Sequence, residues 1–567
     1  MPQDQPRNSN EIFKQAFGLH QQGAIDAAKS LYSQLLKQEP RHFDALHLLG
    51  VAHLQQGDPK AAVEFIGQAL AIDQRQPAAF SNRGAGQVAL LNYSAALSDF
   101  DRAIALKPLQ PEAHYNRAKA LVGLGRAPEA MGSINTALSQ NPNYAEALVL
   151  CGLLNAQSGA HDAALTCYEK ALAIYPASFE AHFNRANALC ELGRHADALA
   201  SFDQALTIVP NHPDVLNNRG DAQRHLKKFT AAISDFQKAI LAQPDFAGAH
   251  VNLAMSQLAT GEFAKGWRTY EWRLKTPELA PILESATAPQ WRGDQDIAGK
   301  TILLKAEQGL GDTIQFSRLA SLVAARGARV VLEVPRPLRR LLANLDGVSS
   351  VIAEDEARPV HDYFCPLMSL PFVLGLTVET IPSAVYLKPD SSLAENWKRR
   401  LASTHGLRVG LVWAGSPRPN MPAAAAIDKK RSLPLSAFEP LGKIPGVTFV
   451  SLQKGSPAAQ LAQLNATRWG GPALLDYTSS LSDFADTAAL TSCLDLVITC
   501  DTAVAHLAGG LGIPVWVLSR FDGCWRWLTD RTDSPWYPSM KLFHQTTPGD
   551  WGGVVASVAQ DLAAMAR

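Results

Sequence analysis

Small and apolar residues recur with a period of 34 residues through the first half of the chain. Two alanine columns share this period, one at Ala62, Ala96, Ala130, Ala164, Ala198 and Ala232, the other at Ala69, Ala103, Ala137, Ala171, Ala205 and Ala239. A proline column falls at Pro40, Pro108, Pro142, Pro176, Pro210 and Pro244. Small residues at fixed positions let the two helices of a hairpin approach closely, and each proline ends a second helix before the next hairpin begins. The pattern predicts stacked helical hairpins over residues 9–276, as about seven repeats and a degenerate eighth.

The period of 34 is that of the tetratricopeptide repeat, which stacks into a superhelix with a concave face lined by the first helix of each hairpin. An asparagine column lies on that helix, at Asn82, Asn116, Asn184, Asn218 and Asn252. Regularly spaced carboxamides can bond to an extended peptide backbone whatever its side chains. The column resembles the asparagine ladder of the O-linked N-acetylglucosamine transferases, which implies a protein or peptide in the groove. The alternative is that these asparagines brace neighbouring helices. Arginines follow four of them directly and would make the groove basic if they faced it.

The second half of the chain reads as alternating strands and helices of an α/β fold. TILLKA, from Thr301, predicts a strand that leads through a glycine turn into a helix, and ARVVLEV, VSSVIA and HDYFCPL predict further strands. RVGLVWA, from Arg408, begins a second unit of the same kind. We therefore expect a linker over 277–299, a first Rossmann-like lobe over 300–390, an inter-lobe linker over 391–407 and a second lobe over 408–567. Residues 1–8 are expected to be disordered.

The segment LDLVITCDTAVAHLAGGLGIPVWVL, Leu494 to Leu518, predicts a strand, a tight turn, a short helix and a strand. Asp501 and Thr502 fall where the first strand ends, and His506 lies four residues after Thr502 on the same side of the helix. Helix amides, a carboxylate and a hydroxyl at the carboxyl end of a parallel strand suit a phosphorylated, hydroxyl-rich ligand. The alternative is structural: Asp501 only caps the helix, His506 is a satisfied side chain, and the glycines end the helix.

The DTAVAHLAGGLGIP segment resembles the signature of the heptosyltransferase-like glycosyltransferases, family 9, whose Asp-Thr-x-x-x-His segment holds the nucleotide-sugar donor. EQGLGDTIQFSR resembles the Gly-Asp motif of the first lobe of that family. The resemblance implies a GT-B pair of lobes, with Asp312 as the general base and Asp501, Thr502 and His506 at the donor. A positioned carboxylate can take the proton of an attacking hydroxyl. The structural alternative for Asp312 is a helix cap.

Five further residues are candidates for the donor diphosphate, namely Gly415, Ser416, Lys430, Arg431 and Lys454. Backbone amides and cations there could offset the charge of the leaving nucleotide, although cations on a loop are also ordinary solvated surface. Asp-x-Asp occurs only in a repeat helix and in the linker, so no metal site is indicated, and cations and helix amides would replace the metal. The nucleotide sugar is a substrate, so no cofactor is implied. Downstream, Trp525, Trp527, Trp536 and Tyr537 favour a packed corner over a ligand shelf.

Two other functions compete with an inverting, metal-independent glycosyltransferase. A dinucleotide oxidoreductase is suggested by Gly309 and Gly311 with Glu333 at the end of the second strand, but Ile314 occupies the third glycine position of the fingerprint. A non-catalytic scaffold, with a degenerate transferase domain, would use only the repeat groove. Transfer from a nucleotide sugar distinguishes the enzyme from the scaffold.

Composition bears on the partners and the cellular location of the protein. The chain has 52 Lys and Arg against 52 Asp and Glu, so no net field attracts nucleic acid. No uninterrupted apolar stretch reaches the ~18 residues of a membrane span, and the amino terminus does not read as a signal peptide. Seven scattered cysteines without a Cys-x-x-Cys motif favour reduced thiols. We expect a cytoplasmic protein without an integral membrane segment.

Overall fold

A computed structural model describes residues 9–418, 420–464 and 469–567. The predicted disordered segment 1–8 lies outside the described residues. The chain forms two compact units, Met1–Val215 and Leu216–Arg567. The first unit contains the repeats alone, and the second contains the last repeats together with two parallel sheets.

The first unit is a series of antiparallel helical hairpins. Its helices are α1 (Ser9–Gln21), α2 (Ile25–Gln38), α3 (Phe43–Gln55), α4 (Pro59–Leu70), α5 (Pro77–Ala89), α6 (Tyr93–Leu106), α7 (Pro111–Gly123), α8 (Ala127–Gln140), α9 (Ala145–Gln157), α10 (His161–Ile174), α11 (Phe179–Glu191) and α12 (His195–Ile208). Every alanine of the two predicted columns within these helices is fully buried. The small residues therefore lie where the helices of a hairpin meet, as their period predicts.

The turn inside each hairpin places one residue in the left-handed region, and this position also recurs every 34 residues. Glycine occupies most of these positions, including Gly57, Gly125 and Gly159, with φ between 70° and 81°. Leu91 takes the same conformation at φ 60° and is 69% exposed. A leucine there carries a steric cost that glycine avoids.

The second unit begins with the remaining hairpins. They are α13 (Pro213–His225), α14 (Phe229–Ala242), α15 (Ala247–Ala259) and α16 (Phe263–Tyr270). Trp267 of α16 is fully buried, with its ring 5.9 Å from Phe316 and 5.3 Å from Trp525. The degenerate eighth repeat therefore shares a hydrophobic core with the α/β part. In this repeat the second alanine column ends at Arg273, and Trp267 lies where the preceding repeat has Ile233.

The predicted linker is ordered against the first sheet. It contains α17 (Ala280–Glu284), and Trp291 is buried, with its backbone amide donating to the carbonyl of Phe364 at 2.8 Å. Phe364 in turn donates to the carbonyl of Pro289 at 3.1 Å. These bonds add the segment around residue 290 to the sheet edge.

The first sheet is four-stranded and parallel, in the order β3-β2-β1-β4. Its elements are β1 (Thr301–Lys305), α18 (Leu310–Ser317), α19 (Ala320–Ala324), β2 (Arg329–Val334), α20 (Arg339–Leu342), β3 (Val348–Ala353), β4 (Tyr363–Pro366) and α21 (Leu370–Val373). The four predicted strands are confirmed. The single predicted helix after the glycine turn is two helices, and it begins two residues earlier than Asp312. It is interrupted near Arg318, whose buried side chain bonds to carbonyls elsewhere in the fold.

The second sheet is six-stranded and parallel, in the order β10-β9-β8-β5-β6-β7. The elements here are α22 (Ser391–Arg400), β5 (Leu407–Val412), α23 (Pro422–Arg431), α24 (Glu439–Gly442), β6 (Val447–Ser451), β7 (Leu475–Asp476), α25 (Phe484–Thr491), β8 (Leu496–Cys500), α26 (Ala503–Gly510), β9 (Val515–Ser519), β10 (Met540–His544) and α27 (Trp551–Met565). If β5 is taken as the first strand, the strand order is that of a doubly wound sheet. The topological switch point, where the strand order reverses, lies between β5 and β8. The predicted strand, helix and strand between Leu494 and Leu518 are confirmed.

The segment predicted to join the lobes, 391–407, contains a helix. Helix α22 places Trp397 in the core, where its ring lies 5.4 Å from that of Tyr477. Cys493 also donates to the carbonyl of Ala394 at 3.4 Å. The helix is therefore held against the second sheet.

Candidate functional site

Asp312 is the third residue of α18, which begins just after the carboxyl end of β1. Its Oδ2 accepts a hydrogen bond from the backbone amide of Gly309 at 2.9 Å. This is the acidic half of a capping box, so the carboxylate satisfies an amide at the start of the helix. The structural alternative for Asp312 is thus realised on one of its two oxygens.

The other oxygen of Asp312 forms an ion pair with Arg526. Arg526 also donates from Nε to Oε1 of Gln315 at 3.0 Å, and its guanidinium lies 4.2 Å from the ring centre of Trp525. Burial alone would lower the pKa of Arg526, but the Asp312 carboxylate more than offsets this and holds the pKa above its ordinary value. Sequence reasoning missed Arg526. Its only signal was an arginine between two tryptophans.

The two motif segments meet at Gly311. A Cβ atom at this glycine would lie 2.9 Å from Cδ2 of His506 and 3.4 Å from the Cα of Ala503. Helices α18 and α26 can therefore touch because residue 311 has no side chain. Asp312 is the next residue, so the first motif lies directly beside the second.

His506 is buried at this contact, whereas Thr502 is half-buried. Its Nδ1 lies 3.0 Å from the hydroxyl of Tyr537, and its ring stacks at 5.4 Å on Trp527. Burial, followed by the charges of Arg526, Arg318 and Arg431, lowers the pKa of His506 well below its ordinary value. The imidazole is therefore neutral at pH 7.

Arg318 is a second buried guanidinium next to this contact. It donates to the carbonyls of Pro382 at 3.0 Å and Trp536 at 2.6 Å, and it lies 4.4 Å from the ring centres of both Tyr386 and Tyr537. Trp525, Trp527, Trp536 and Tyr537 are all buried, in agreement with a packed corner.

In the turn after β8, Thr502 is the residue before α26. Its hydroxyl lies 3.1 Å from that of Thr499 and does not cap the helix. Asp501 is half-buried, and its backbone carbonyl accepts from Nη1 of Arg431 at 2.8 Å. Among the described residues, no hydrogen bond or ion pair to the Asp501 carboxylate is found.

The predicted diphosphate groups differ in their surroundings. Ser416 and Lys430 are exposed, whereas the amide of Gly415 is buried and donates to Oγ of Ser432 at 3.0 Å. Nζ of Lys454 donates to two backbone carbonyls, of Thr478 and Leu481, at 2.8 Å each. Lys430 and Arg431 lie at the end of helix α23 and not on a loop, and Arg431 reaches the end of β8 through the carbonyl of Asp501.

The asparagine column divides into bonded and unbonded members. Asn82 lies 3.0 Å from Nε2 of His47 in the preceding repeat, and Asn252 donates to Oδ1 of Asn217 at 3.0 Å. Asn218 accepts from its neighbour Asn217 at 3.1 Å. Asn116 and Asn184 are half-buried, and no partner for either is found in the described part of the chain. Bracing therefore accounts for Asn82 and Asn252, and a ladder function remains open for Asn116 and Asn184.

The arginine column does not supply a basic groove. Each arginine bonds to a residue 16 positions later, in the second helix of its own hairpin. The pairs are Arg83 with Asp99 at 2.6 Å, Arg117 with Ser133 at 2.7 Å, Arg185 with Ser201 at 2.5 Å and Arg219 with Asp235 at 2.7 Å.

A buried ion cluster fixes the loop between β1 and α18. Arg273, which follows α16, donates to Glu307 at 2.8 and 3.2 Å and to Glu271 at 2.7 Å. The side chains of Arg273 and Glu307 are 2% and 0% exposed. Burial raises the pKa of Glu307, and the facing guanidinium opposes that rise. The last repeat is thereby tied to the segment that carries Asp312.

Glu333 is not placed to bind a ribose. It is buried and accepts from Arg358 at 2.5 and 3.0 Å, with Lys305 at 3.5 Å. Both of its oxygens therefore have cationic partners within the lobe. Together with Ile314 at the third glycine position, this removes the basis for the dinucleotide oxidoreductase.

Comparisons with known proteins agree on the repeats. Family models described as tetratricopeptide repeat match residues 19–82, 83–145, 119–179, 152–213 and 213–246. Protein FlbA of Caulobacter vibrioides (strain ATCC 19089 / CIP 103742 / CB 15) is 31% identical over an alignment of 357 residues. The match covers 57% of this chain and 56% of that protein. The chain thus spans little more than half the length of this curated relative.

Several solved structures are also similar. The crystal structure of MamA matches with 24% identity and a TM-score of 0.27, covering 28% of this chain and 93% of that one. A tetratricopeptide repeat protein from Parabacteroides merdae matches with 19% identity and a TM-score of 0.36, covering 44% and 98%. YrrB, described as a TPR protein with an unusual peptide-binding site, matches with 21% identity and a TM-score of 0.30, covering 33% and 96%.

Across the described ranges, none of the helices has both the length and the apolar character needed to cross a bilayer. The repeat period, the hairpins and the family models coincide over the same residues. Residues 19–246 of this chain are therefore tetratricopeptide repeats.

Proposed function

We propose that the α/β part of this chain is a glycosyltransferase that moves a sugar from a nucleoside diphosphate to a hydroxyl acceptor. The reaction would invert the anomeric centre and use no metal ion. The observation that supports this proposal is the contact of Gly311 with His506 and Ala503. It joins two segments that each follow the carboxyl end of a parallel strand, where doubly wound sheets bind their ligands.

The charges around this contact support an anionic donor. Burial, and after it the charges of the Arg526, Arg318 and Arg431 guanidinium groups, lowers the pKa of His506 and keeps it neutral. A diphosphate is stabilised by such cations as the nucleotide leaves. In this proposal Arg526 and Arg431 hold the diphosphate in place of Lys454, whose ammonium already serves two carbonyls.

The ion pair with Arg526 determines how Asp312 would act. Both carboxylate oxygens have partners, namely Gly309 and Arg526. A general base needs an oxygen that reaches the acceptor hydroxyl. Donor binding would draw Arg526 toward the diphosphate and leave one oxygen of Asp312 free to accept the proton.

A donor screen on the full chain tests the proposal. We expect a nucleotide sugar to raise the thermal midpoint of the protein and to release nucleoside diphosphate on transfer. Asp312→Asn keeps an acceptor for Gly309 and should lose about 100-fold or more in rate while retaining the donor shift. Arg526→Met should lose the shift itself, and Asp355→Asn, at an exposed ion pair of the same lobe, should match the wild type. Absence of both shift and release across nucleotide sugars would contradict a transferase.

A non-catalytic scaffold is the second candidate, and one observation favours it. The amide of Gly415, the ammonium of Lys454 and both oxygens of Asp312 have partners within the chain. The α/β part is therefore held together without a ligand at these groups. The repeats supply the extended concave surface that such arrays use to bind proteins.

The unbonded asparagines allow the groove to be tested separately. Peptides selected from a displayed random library on the full chain serve as the probe. Asn116→Ala together with Asn184→Ala should weaken binding of a selected peptide by about tenfold, as two lost hydrogen bonds imply. Asn82→Ala is the matched control, because its carboxamide already bonds to His47. Equal affinity in all variants would leave the asparagine column as packing alone.

A further inference from the structure

One hairpin carries two cysteines at positions where four other hairpins have a polar brace. In four hairpins an arginine of the first helix bonds to a residue 16 positions later in the second helix, as Arg83 does with Asp99. Helices α9 and α10 carry Cys151 and Cys167 at the same two positions, again 16 residues apart. A pair of thiols therefore lies where four other hairpins, including the two neighbouring ones, have a guanidinium and its acceptor.

The two sulfur atoms are already in contact. Sγ of Cys151 lies 2.7 Å from Sγ of Cys167, closer than unbonded sulfur atoms normally pack. A disulfide bond is about 2.05 Å long and needs Cβ atoms that face each other across a short gap. Asn155 holds the site from one side, with Nδ2 3.5 Å from Sγ of Cys151 and 3.9 Å from Sγ of Cys167. The distance between the two sulfur atoms is therefore already close to the length of that bond.

The surroundings divide the two thiols into an attacking and a resolving group. The hydrogen bond from Cys151 and the charge of Lys170 lower the pKa of Cys167 to about 7. The same hydrogen bond and burial raise the pKa of Cys151. Cys167 is half-buried and reachable by a small oxidant, whereas Cys151 is only 7% exposed. The thiolate is the nucleophile in oxidation, so Cys167 reacts first.

We propose that Cys151 and Cys167 form a reversible disulfide when the protein meets hydrogen peroxide. The Cys167 thiolate attacks one peroxide oxygen, the O–O bond breaks, and the other oxygen leaves as water after protonation. Cys151 then loses its proton and attacks the resulting sulfenic sulfur, forming the S–S bond and expelling the sulfenic oxygen as a second water. Two thiols are oxidised by two electrons in total, and one peroxide is reduced to two waters. The covalent link then replaces the polar brace of the neighbouring hairpins.

Thiol mapping on the full chain under native conditions tests this proposal, independently of any transferase activity. The protein is reduced, exposed to hydrogen peroxide, denatured and alkylated. We expect two of its seven thiols to escape alkylation. Proteolysis should yield a peptide linked between residues 151 and 167, and dithiothreitol should restore both thiols.

Three serine variants test the role of each cysteine separately. Cys151→Ser should trap a sulfenic acid on Cys167, detectable with dimedone, whereas Cys167→Ser should trap none on Cys151. Cys190→Ser, a half-buried cysteine in the next repeat, should form the disulfide as the wild type does. Seven free thiols in the oxidised wild type would overturn the proposal. A link between other cysteines, or sulfinic acid on Cys167 without a link, would overturn it equally.

Discussion

Replacing Arg273 by methionine leaves two carboxylates without the cation that they share. The side chain of Glu307 has no exposed surface. It accepts a hydrogen bond from Nη2 of Arg273 at 2.8 Å and one from the backbone amide of Met368, also at 2.8 Å. Glu271 is the second carboxylate, 23% exposed. Removing one partner of a buried ion pair costs about 3–5 kcal/mol, because the remaining charge keeps its desolvation cost without its counter-ion. We expect a loss of this size in the free energy of unfolding of the second unit.

Tryptophan fluorescence reports this loss selectively. All 11 tryptophans lie between Trp267 and Trp551, and therefore in the second unit. Denaturant titration followed by tryptophan emission thus reports on that unit and not on the helices of the first. Arg336→Met is the matched control, because its ion pair with Asp355 is exposed. It should leave the midpoint unchanged.

The pH dependence of the variant gives a second readout. Without the guanidinium, burial raises the pKa of Glu307 further above its unfolded value, so the folded state binds more protons than the unfolded state. The difference in the free energy of unfolding between wild type and Arg273→Met should therefore become smaller as the pH falls from 7 toward 5. The double variant with Glu307→Leu should recover most of the loss. A single variant as stable as the wild type, or a double variant no better than the single, would refute the buried-pair argument.

Three further predictions concern other sites. Leu91→Gly removes the strain of a left-handed leucine, about 1–2 kcal/mol, but also increases the entropy of the unfolded chain. Denaturation followed by far-UV circular dichroism should therefore show a net gain of about 0.5–1 kcal/mol in the free energy of unfolding. Gly125→Ala, at an equivalent turn, should lower the free energy of unfolding. His506 is neutral when folded and gains a proton on unfolding below pH ~6.5, so wild-type stability should fall by up to about 1.4 kcal/mol per pH unit there, with a smaller slope in His506→Asn. Gly311→Ala should cost about 1–3 kcal/mol in the fluorescence assay, because its methyl group meets the His506 ring, while Gly552→Ala has room for one.

The ion pair between Asp312 and Arg526 links stability to the proposed chemistry. The same carboxylate satisfies a helix amide and holds a loop of the second sheet against the first. A loss of activity in Asp312 variants alone would therefore not identify a base. The donor shift is needed beside it, since a variant that still binds the donor retains the contact between the two parts.

Local spacing was sufficient to predict the repeats, most strands and the helix after Asp501. Each of these depends on neighbours within one hairpin or one strand, where burial imposes a period on the sequence. The columns with a 34-residue period thus predicted the hairpins. The apolar runs predicted the four strands of the first sheet at their observed positions. The unpredicted helix break near Arg318 has a tertiary cause, because that guanidinium bonds to the carbonyl of residue 536.

The partners of the polar side chains were decided by the tertiary structure alone. Arg526 reaches Asp312 across 214 residues of chain, and Arg273 reaches Glu307 across 34. The asparagine column looks uniform in sequence, yet Asn82 is bonded and Asn116 is not, because the preceding repeat offers a histidine to one and a serine, Ser81, to the other. A buried charge or amide takes whichever partner the packing brings near it, and no local pattern encodes that choice.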